Sequence, residues 1–423
     1  MTPDSRTAAV GPRLLFLGYA VDDERIRDIC ARDRVAPIQT HRFTWRLIRG
    51  IEQALGNSIE LASFAPVSDY PTFPEIVIRR RSWTRSGNME AAELPFINLL
   101  GAKHITRFVV ALRFLLSWAA RGRGVQSLVV NYSVATSQLY ACLVARMLSS
   151  VKIVNIITDA PGIPNGKESV VVSTLRRIDV ALARFALGRL DGIVALTRDL
   201  EYEFAPGRPC LIVEGMVDPC WSTLDVPAMS EAESREECFV VTYAGNLAAN
   251  SGVDSLLQAF AQIPDPSVRL WIFGKGILSG QVVEAAKADS RIEYFGFVSD
   301  VDLESRMSAS SVLVVPRPVA DIASRFVFPS KLMDYLIACR PVAATEAAGI
   351  PREYFDHIYS LGSGTTADIK AGLLRVRASS YDDRMGQARY AREYVCRAKN
   401  YIVQGERIVN FLRETTCNTA NAC

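Results

Sequence analysis

Short apolar runs alternate with longer amphipathic stretches along most of the chain, and that alternation predicts an α/β protein. Arg13 to Gly18 is a compact apolar run ending in glycine, read as a first buried strand with a tight loop at Gly18-Tyr19. A helical stretch around Arg42 to Leu55 and strands near Ile59 and Ile76 to Ile78 continue the pattern. Clearer units follow: helix Ile105 to Ala120, strand Ser127 to Asn131, helix Ala135 to Leu148, strand Lys152 to Ile157, helix Val170 to Leu187 and strand Gly192 to Leu196. Strands alternating with helices imply a parallel sheet covered on both faces.

The alternation breaks at 216 to 237, where prolines at 219 and 227 and the acidic run Glu231 to Glu237 read as an interdomain linker. A second series then begins: strand Phe239 to Tyr243, helix Gly252 to Ala261, strand Val268 to Phe273, helix Ser279 to Ala288, strand Arg291 to Tyr294, helix Asp300 to Ala309 and strand Val312 to Val315. Helical segments near Asp383 to Ala398 and Tyr401 to Leu412 end the chain. The expected fold is therefore two Rossmann-like domains, 1–215 and 238–398, joined by the linker and followed by a tail at 399–423. The first domain carries no G-x-G-x-x-G fingerprint.

Composition narrows the function. A chain of 423 residues, 49% hydrophobic and 22% charged, is globular and too long for one typical core. A net charge of only +3 gives no reason to expect nucleic acid as a partner. Nine scattered cysteines without a C-x-x-C pair indicate neither a disulfide framework nor a zinc site, which fits a reduced, cytoplasmic compartment. Met1 to Pro12 lacks the apolar core of a signal peptide. The longest apolar run, Ile105 to Ala120, contains Arg107 and Arg113 and is too short to span a bilayer.

The stretch Phe326 to Thr345 concentrates the chemistry. Pro329 and Ser330 read as a loop ending in an N-cap, Leu332, Met333, Leu336 and Ile337 as a buried helix face, and Arg340-Pro341 as its stop before a strand at Val342 to Ala344. Lys331 lies three residues from Asp334 and four from Tyr335, so all three can point the same way in the first turn. A cation and a carboxylate at a helix N-terminus suit a diphosphate beside a ribose.

This segment resembles the donor-site signature of retaining GT-B glycosyltransferases, particularly glycosyltransferase family 4. Asp334 falls on the family's helix glutamate, and Arg340-Pro341-Val342 on its Lys-Pro-Val. Tyr243-Ala-Gly-Asn246, Phe273-Gly-Lys-Gly276 and Phe295-Gly-Phe297 stand at the expected intervals, so the resemblance covers residues 239 to 345. It departs at three positions: Phe326 replaces a second glutamate, and Asn246 and Ser251 stand where an arginine and a lysine normally meet the diphosphate. Lys331, Lys275, Arg317 and Arg325 are the cations available instead.

The resemblance implies a GT-B fold with the two domains facing a cleft and a terminal helix crossing back to the first. It implies a nucleoside diphosphate sugar as donor, no metal, and catalysis by positioning and charge stabilisation. Donor contacts are expected from Gly18, Tyr19, Gly245, Asn246, Gly274, Lys275, Gly276, Arg325, Ser330, Lys331 and Asp334. Asn246 reads equally as a turn residue, and Gly274 and Gly276 as a turn after a strand. Either Asp321 or backbone N–H groups of 321–328 replace the glutamate at Phe326, or the donor sugar lacks the hydroxyl pattern that glutamate reads.

In the first domain Asp159 ends a buried strand and reads either as a loop cap or, with Lys331, as a catalytic group. Asn131-Tyr-Ser133 is a weaker acceptor candidate, and the lone His104 reads as structural. Arg79-Arg-Arg-Ser-Trp-Thr-Arg85 with Phe108 to Trp118 reads either as a solvated loop and core helix or as a peripheral contact with an anionic membrane. The expected function is transfer of a sugar to a lipid-linked or oligosaccharide acceptor in polysaccharide synthesis. The alternatives are a GT-B nucleotide-sugar epimerase and a catalytically impaired homologue serving as an assembly partner.

Overall fold

The computed structural model describes residues 13–33, 38–85, 89–163, 169–219 and 238–417. The chain forms two compact units: Met1–Ala195 with Leu200–Ile212 and Gly405–Cys423, and Leu196–Asp199 with Val213–Gln404. Residues 220–237 of the expected linker lie outside the described residues. Val217, at its start, is buried in the second unit, where its N–H donates to Lys399 O and its carbonyl accepts from Tyr401 N–H.

The first unit is built on strands β1 (Arg13–Gly18), β2 (Glu60–Ser63), β4 (Arg81–Thr84), β5 (Glu90–Glu93), β7 (Ser127–Tyr132), β8 (Lys152–Ile157), β9 (Gly192–Ala195) and β10 (Cys210–Ile212). They form one sheet in the order β10-β9-β8-β7-β1-β2-β5-β4, parallel except for the edge strand β4. Both faces of β7 are buried throughout, which is why it reads as an unbroken apolar run. Helices α1 (Asp23–Arg32), α2 (Ile38–Leu55), α3 (Ala102–Arg121), α4 (Thr136–Leu148), α5 (Val170–Leu187) and α6 (Arg198–Phe204) connect the strands, with α3 packed on α4 and α4 on α5.

Two expectations need correction here. The strand at 76–78 does not join the sheet: β3 (Val77–Ile78) pairs antiparallel with β6 (Phe96–Ile97) in a separate ladder. The basic aromatic patch is also partly core. Trp118 is fully buried, and Arg85 makes a two-pronged ion pair with Glu52 while lying over Trp45, leaving Arg79, Arg80 and Arg81 exposed near the sheet edge.

In the second unit, strands β11 (Phe239–Ala244), β12 (Val268–Phe273), β13 (Ile292–Gly296), β14 (Val312–Val315), β15 (Val342–Ala344) and β16 (Tyr359–Ser360) form an all-parallel sheet in the order β13-β12-β11-β14-β15-β16. Helices α7 (Val253–Ala261), α8 (Ser279–Ala288), α9 (Asp300–Ser308), α10 (Ser330–Ile337), α11 (Thr366–Ala378) and α12 (Tyr381–Ala398) surround it. The order reverses across β11 and β14, and in such sheets the crevice beyond the carboxyl ends at that point takes ligands. The last helix, α13 (Tyr401–Cys417), starts in the second unit and ends in the first, where Ile408, Val409 and Leu412 are buried and Phe411 lies on Gly192.

Candidate active site

Three segments meet beyond the carboxyl ends of β11 and β14: the loop at 245–252, Pro316-Arg317 after β14, and the start of α10. Tyr335 fixes the helix. Its buried hydroxyl donates to Ala244 O at 3.0 Å and accepts Ala244 N–H at 2.7 Å, satisfying both backbone groups where the strand ends. Pro329 rather than Ser330 occupies the cap position and offers no side-chain bond; Ser330 is the first helical residue and is exposed.

With α10 so placed, Lys331 reaches back over the loop. Its Nζ lies 3.7 Å from the centroid of the Tyr243 ring, and a Cβ on Gly245 would come within 3.1 Å of it. Among the described residues no carboxylate or hydrogen-bond acceptor pairs with this ammonium. Burial, reinforced by the nearby Arg317 charge, lowers its pKa to about 7. Arg317 is half-buried, its Nε has no partner, and burial also pulls its pKa down, against the attraction of Asp321. Two unneutralised cations in one partly dehydrated place are costly unless an anion arrives to share them.

The loop geometry explains how the charge reaches this point. Tyr243 Oη donates to Asn246 O at 2.8 Å and hydrogen-bonds the Ser251 hydroxyl, while burial raises its pKa to about 12. Asn246 exposes its side chain, so the position just after the glycine is served by Lys331 from the helix side. The loops after β11 and β12 touch backbone to backbone: Gly245 N–H donates to Phe273 O and Leu247 N–H to Lys275 O. Gly274 sits at φ 122°, and a Cβ there would fall 1.9 Å from Gly245 O. Gly276 abuts Leu247 in the same way.

The remaining expected residues differ in burial and partners. Lys275 is exposed, 4.8 Å from the Phe297 ring centroid, and Arg325 is ion-paired with Asp199 at 2.9 Å. Phe326 is buried at the end of a short 3-10 turn. Asp321 caps that turn and accepts from Ala323 N–H and Asn250 Nδ2, so both its oxygens are engaged. Asp334 is half-buried on α10, one residue before Tyr335.

In the first unit, Gly18 and Tyr19, Ser133, and Thr158-Asp159 end the neighbouring strands β1, β7 and β8. Tyr19 Oη and Ser133 Oγ are 3.1 Å apart, with the buried Arg107 5.7 Å from the Tyr19 ring centroid. Asp159 is exposed and accepts from Thr158 Oγ1 at 3.0 Å. Asn131 is buried and donates through Nδ2 to Asn155 Oδ1, while its own Oδ1 has no hydrogen-bond partner. His104 is exposed on α3. Among the described residues no cluster of three His, Cys, Asp or Glu could hold a metal ion.

Residues 238–373, which include Tyr243, Gly245, Arg317, Lys331 and Asp334, match the family model for Glycosyl transferases group 1. The fold is that of the GT-B glycosyltransferases. Its architecture is shared with α,α-trehalose 6-phosphate synthase of Burkholderia multivorans, at a TM-score of 0.64 and 14% identity over 97% of this chain and 98% of that one. Lipopolysaccharide outer core galactosyltransferase WaaB in its apo form superposes at 0.61, with 15% identity over 95% and 99%. Anabaena HepE in complex with UDP-glucose superposes at 0.60, with 13% identity over 95% and 100%. No curated protein matches this chain in sequence.

Arg317 is the site residue that sequence reasoning placed least well. It was one of four cations available, and only its position after β14, beside Tyr243 and Lys331, separates it from Lys275 and Arg325. Nothing local to Pro316-Arg317 carries that information.

Proposed function

We propose that this glycosyltransferase moves a sugar from a nucleoside diphosphate sugar to a lipid-linked glycoconjugate precursor, with retention of anomeric configuration. The observation that carries the donor assignment is the unneutralised pair Lys331 and Arg317 at the sheet's switch point. A diphosphate brings the negative charge this pair lacks, and Asp334 on the same helix can accept from ribose hydroxyls. As the bond from the anomeric carbon to the diphosphate oxygen breaks, charge grows on that oxygen, and the two cations stabilise it where it forms. In the retaining reaction the acceptor hydroxyl approaches the same face of the sugar and passes its proton to the departing diphosphate. The chain then contributes positioning and field, with no protein nucleophile on the path.

The test is release of nucleoside diphosphate from a panel of donor sugars, with a lipid extract of anionic membranes as acceptor and NMR assignment of the product's anomeric configuration. Turnover with the donor's configuration kept is expected. An inverted product overturns retention, and turnover only with water-soluble oligosaccharides overturns the lipid-linked acceptor. Phe326, Asn246 and Ser251 favour a second reading, a protein that holds the nucleotide without transfer; it requires nucleotide binding with no release from any donor.

A further inference from the structure

Helix α5 carries an apolar face that its own unit does not cover. Val171, Leu175, Ile178, Leu182 and Phe185 recur at spacings of four, three, four and three, so they form one stripe along the helix. Their exposures run from 41% to 68%, and the helix buries only Ala183, Ala186 and Leu187, near its C-terminal end. Val170 and Val172 widen the stripe at its N-terminal end and are exposed as well. A folded protein rarely leaves this much contiguous aliphatic surface in water.

The charge around the stripe indicates what covers it. Residues 170–189 hold four arginines and one aspartate, a net charge of +3 equal to that of the whole chain. Arg177 is exposed, and Arg189 lies 3.5 Å from the Phe185 ring centroid, a cation at the edge of the apolar face. Arg184 is ion-paired with Glu203 and Asp179 accepts from Thr136 Oγ1, which leaves Arg177 and Arg189 as the cations at the rim. A second copy of α5 against the first would bring these arginines together, since one aspartate per helix cannot balance them. A surface of anionic headgroups over acyl chains offers both the negative charge and the apolar interior.

We propose that α5 lies in the headgroup region of an anionic bilayer, with Val171 to Phe185 turned into the acyl boundary and Arg177 and Arg189 at the phosphates. Among the described residues no helix is long and apolar enough to cross a membrane, so this contact is peripheral. It deepens the lipid-linked acceptor reading, because it would hold the enzyme where such an acceptor resides, yet it rests on residues of the first unit, whereas the donor assignment rests on residues of the second.

The experiment is co-sedimentation of the full chain with phosphatidylglycerol–phosphatidylcholine vesicles and with phosphatidylcholine vesicles alone. Binding to the anionic vesicles at low salt, reduced at high salt, is expected. Leu175→Ser with Ile178→Ser, at exposed positions, should lower partitioning about tenfold or more, while nucleoside diphosphate affinity and thermal unfolding stay as in the parent. Leu182→Ser with Phe185→Ser, which leaves the N-terminal half intact, should act in the same direction. Undiminished vesicle binding by both double variants overturns the proposal. So does a parent that ignores anionic vesicles but forms a dimer that either double variant dissociates, because α5 is then an interface between copies. A parent that binds anionic vesicles but no nucleoside diphosphate would count against the donor assignment and leave α5 untouched.

Discussion

Lys331 shows how a single residue joins stability to binding. In the unfolded chain its amine titrates near the ordinary lysine value of about 10.4, but in the folded protein burial and Arg317 bring it to about 7. Between those pH values the unfolded state holds more protons, so stability should rise with pH through the window and be flat below about 7. Lys331→Met should remove that slope in urea titrations. Diphosphate binding reverses the preference by favouring the charged amine. Above pH 7 the nucleotide should therefore be taken up with a proton, and affinity should fall by up to about tenfold per pH unit. Calorimetry at pH 8 in buffers of different ionisation enthalpy reads this directly, and a heat independent of buffer would place the lysine away from the phosphates. Lys331→Ala and Arg317→Ala should each weaken nucleoside diphosphate binding by about 1.5–3 kcal/mol, the cost of a lost charged hydrogen bond. The lysine was legible in sequence because helical spacing is local: 331, 334 and 335 share a face whatever surrounds them. The arginine was not, because its role depends on which strand lies beside β11.

At the level of elements, the site is a set of loops held in register by the strands that end in them. Gly274→Ala tests that register, since a Cβ cannot coexist with Gly245 O at 1.9 Å and the backbone there is at positive φ. Loss of about 1–3 kcal/mol of stability is expected, together with weaker nucleotide binding as the 245–247 loop is displaced. Gly280→Ala is the control: it lies in α8, its Cβ would meet nothing within 4 Å, and a gain of about 0.4–1 kcal/mol is expected. Equal thermal shifts for the two variants would refute the packing account. Long periodic elements such as β8 and β12 were legible to the residue, because burial writes itself into the hydrophobic pattern, and α5 was legible from a periodic stripe that its own unit leaves exposed. Shorter pieces were missed or misplaced. β4, exposed at the sheet edge, carries Arg81, Ser82 and Thr84 where a central strand would carry valines, and β3 is too short for alternation to show which ladder it joins. Helix α11, with its apolar positions spread among charges, gave too weak a period to be read.

At the scale of the molecule, each unit has its own core, but the first is completed by chain that comes after the second. Ile408, Val409, Phe411 and Leu412 are buried in that completion, and a Cβ on Gly405 would strike the backbone of Gly50 at 2.1 Å. Burying a large aliphatic or aromatic side chain contributes about 1.5–3 kcal/mol, and a domain's net stability is only about 5–15 kcal/mol. A protein ending at Gln404 should therefore lose the cooperative calorimetric transition of its first unit while the second still binds nucleoside diphosphate. An unchanged first transition would mean that α13 is dispensable. Two βα series and a break between them were visible in the sequence. Where the units divide, at Ile212 to Val213 and again at Gln404 to Gly405, was not, because contacts rather than composition set that division. The same connectivity also sets an order on the ribosome. The first unit leaves the exit tunnel unfinished and waits, at about 5–20 residues per second, tens of seconds for its last helix. Through that interval the surfaces awaiting α13 stand open to chaperones and proteases, so a slow codon or a stalled ribosome anywhere in the second unit would endanger the first.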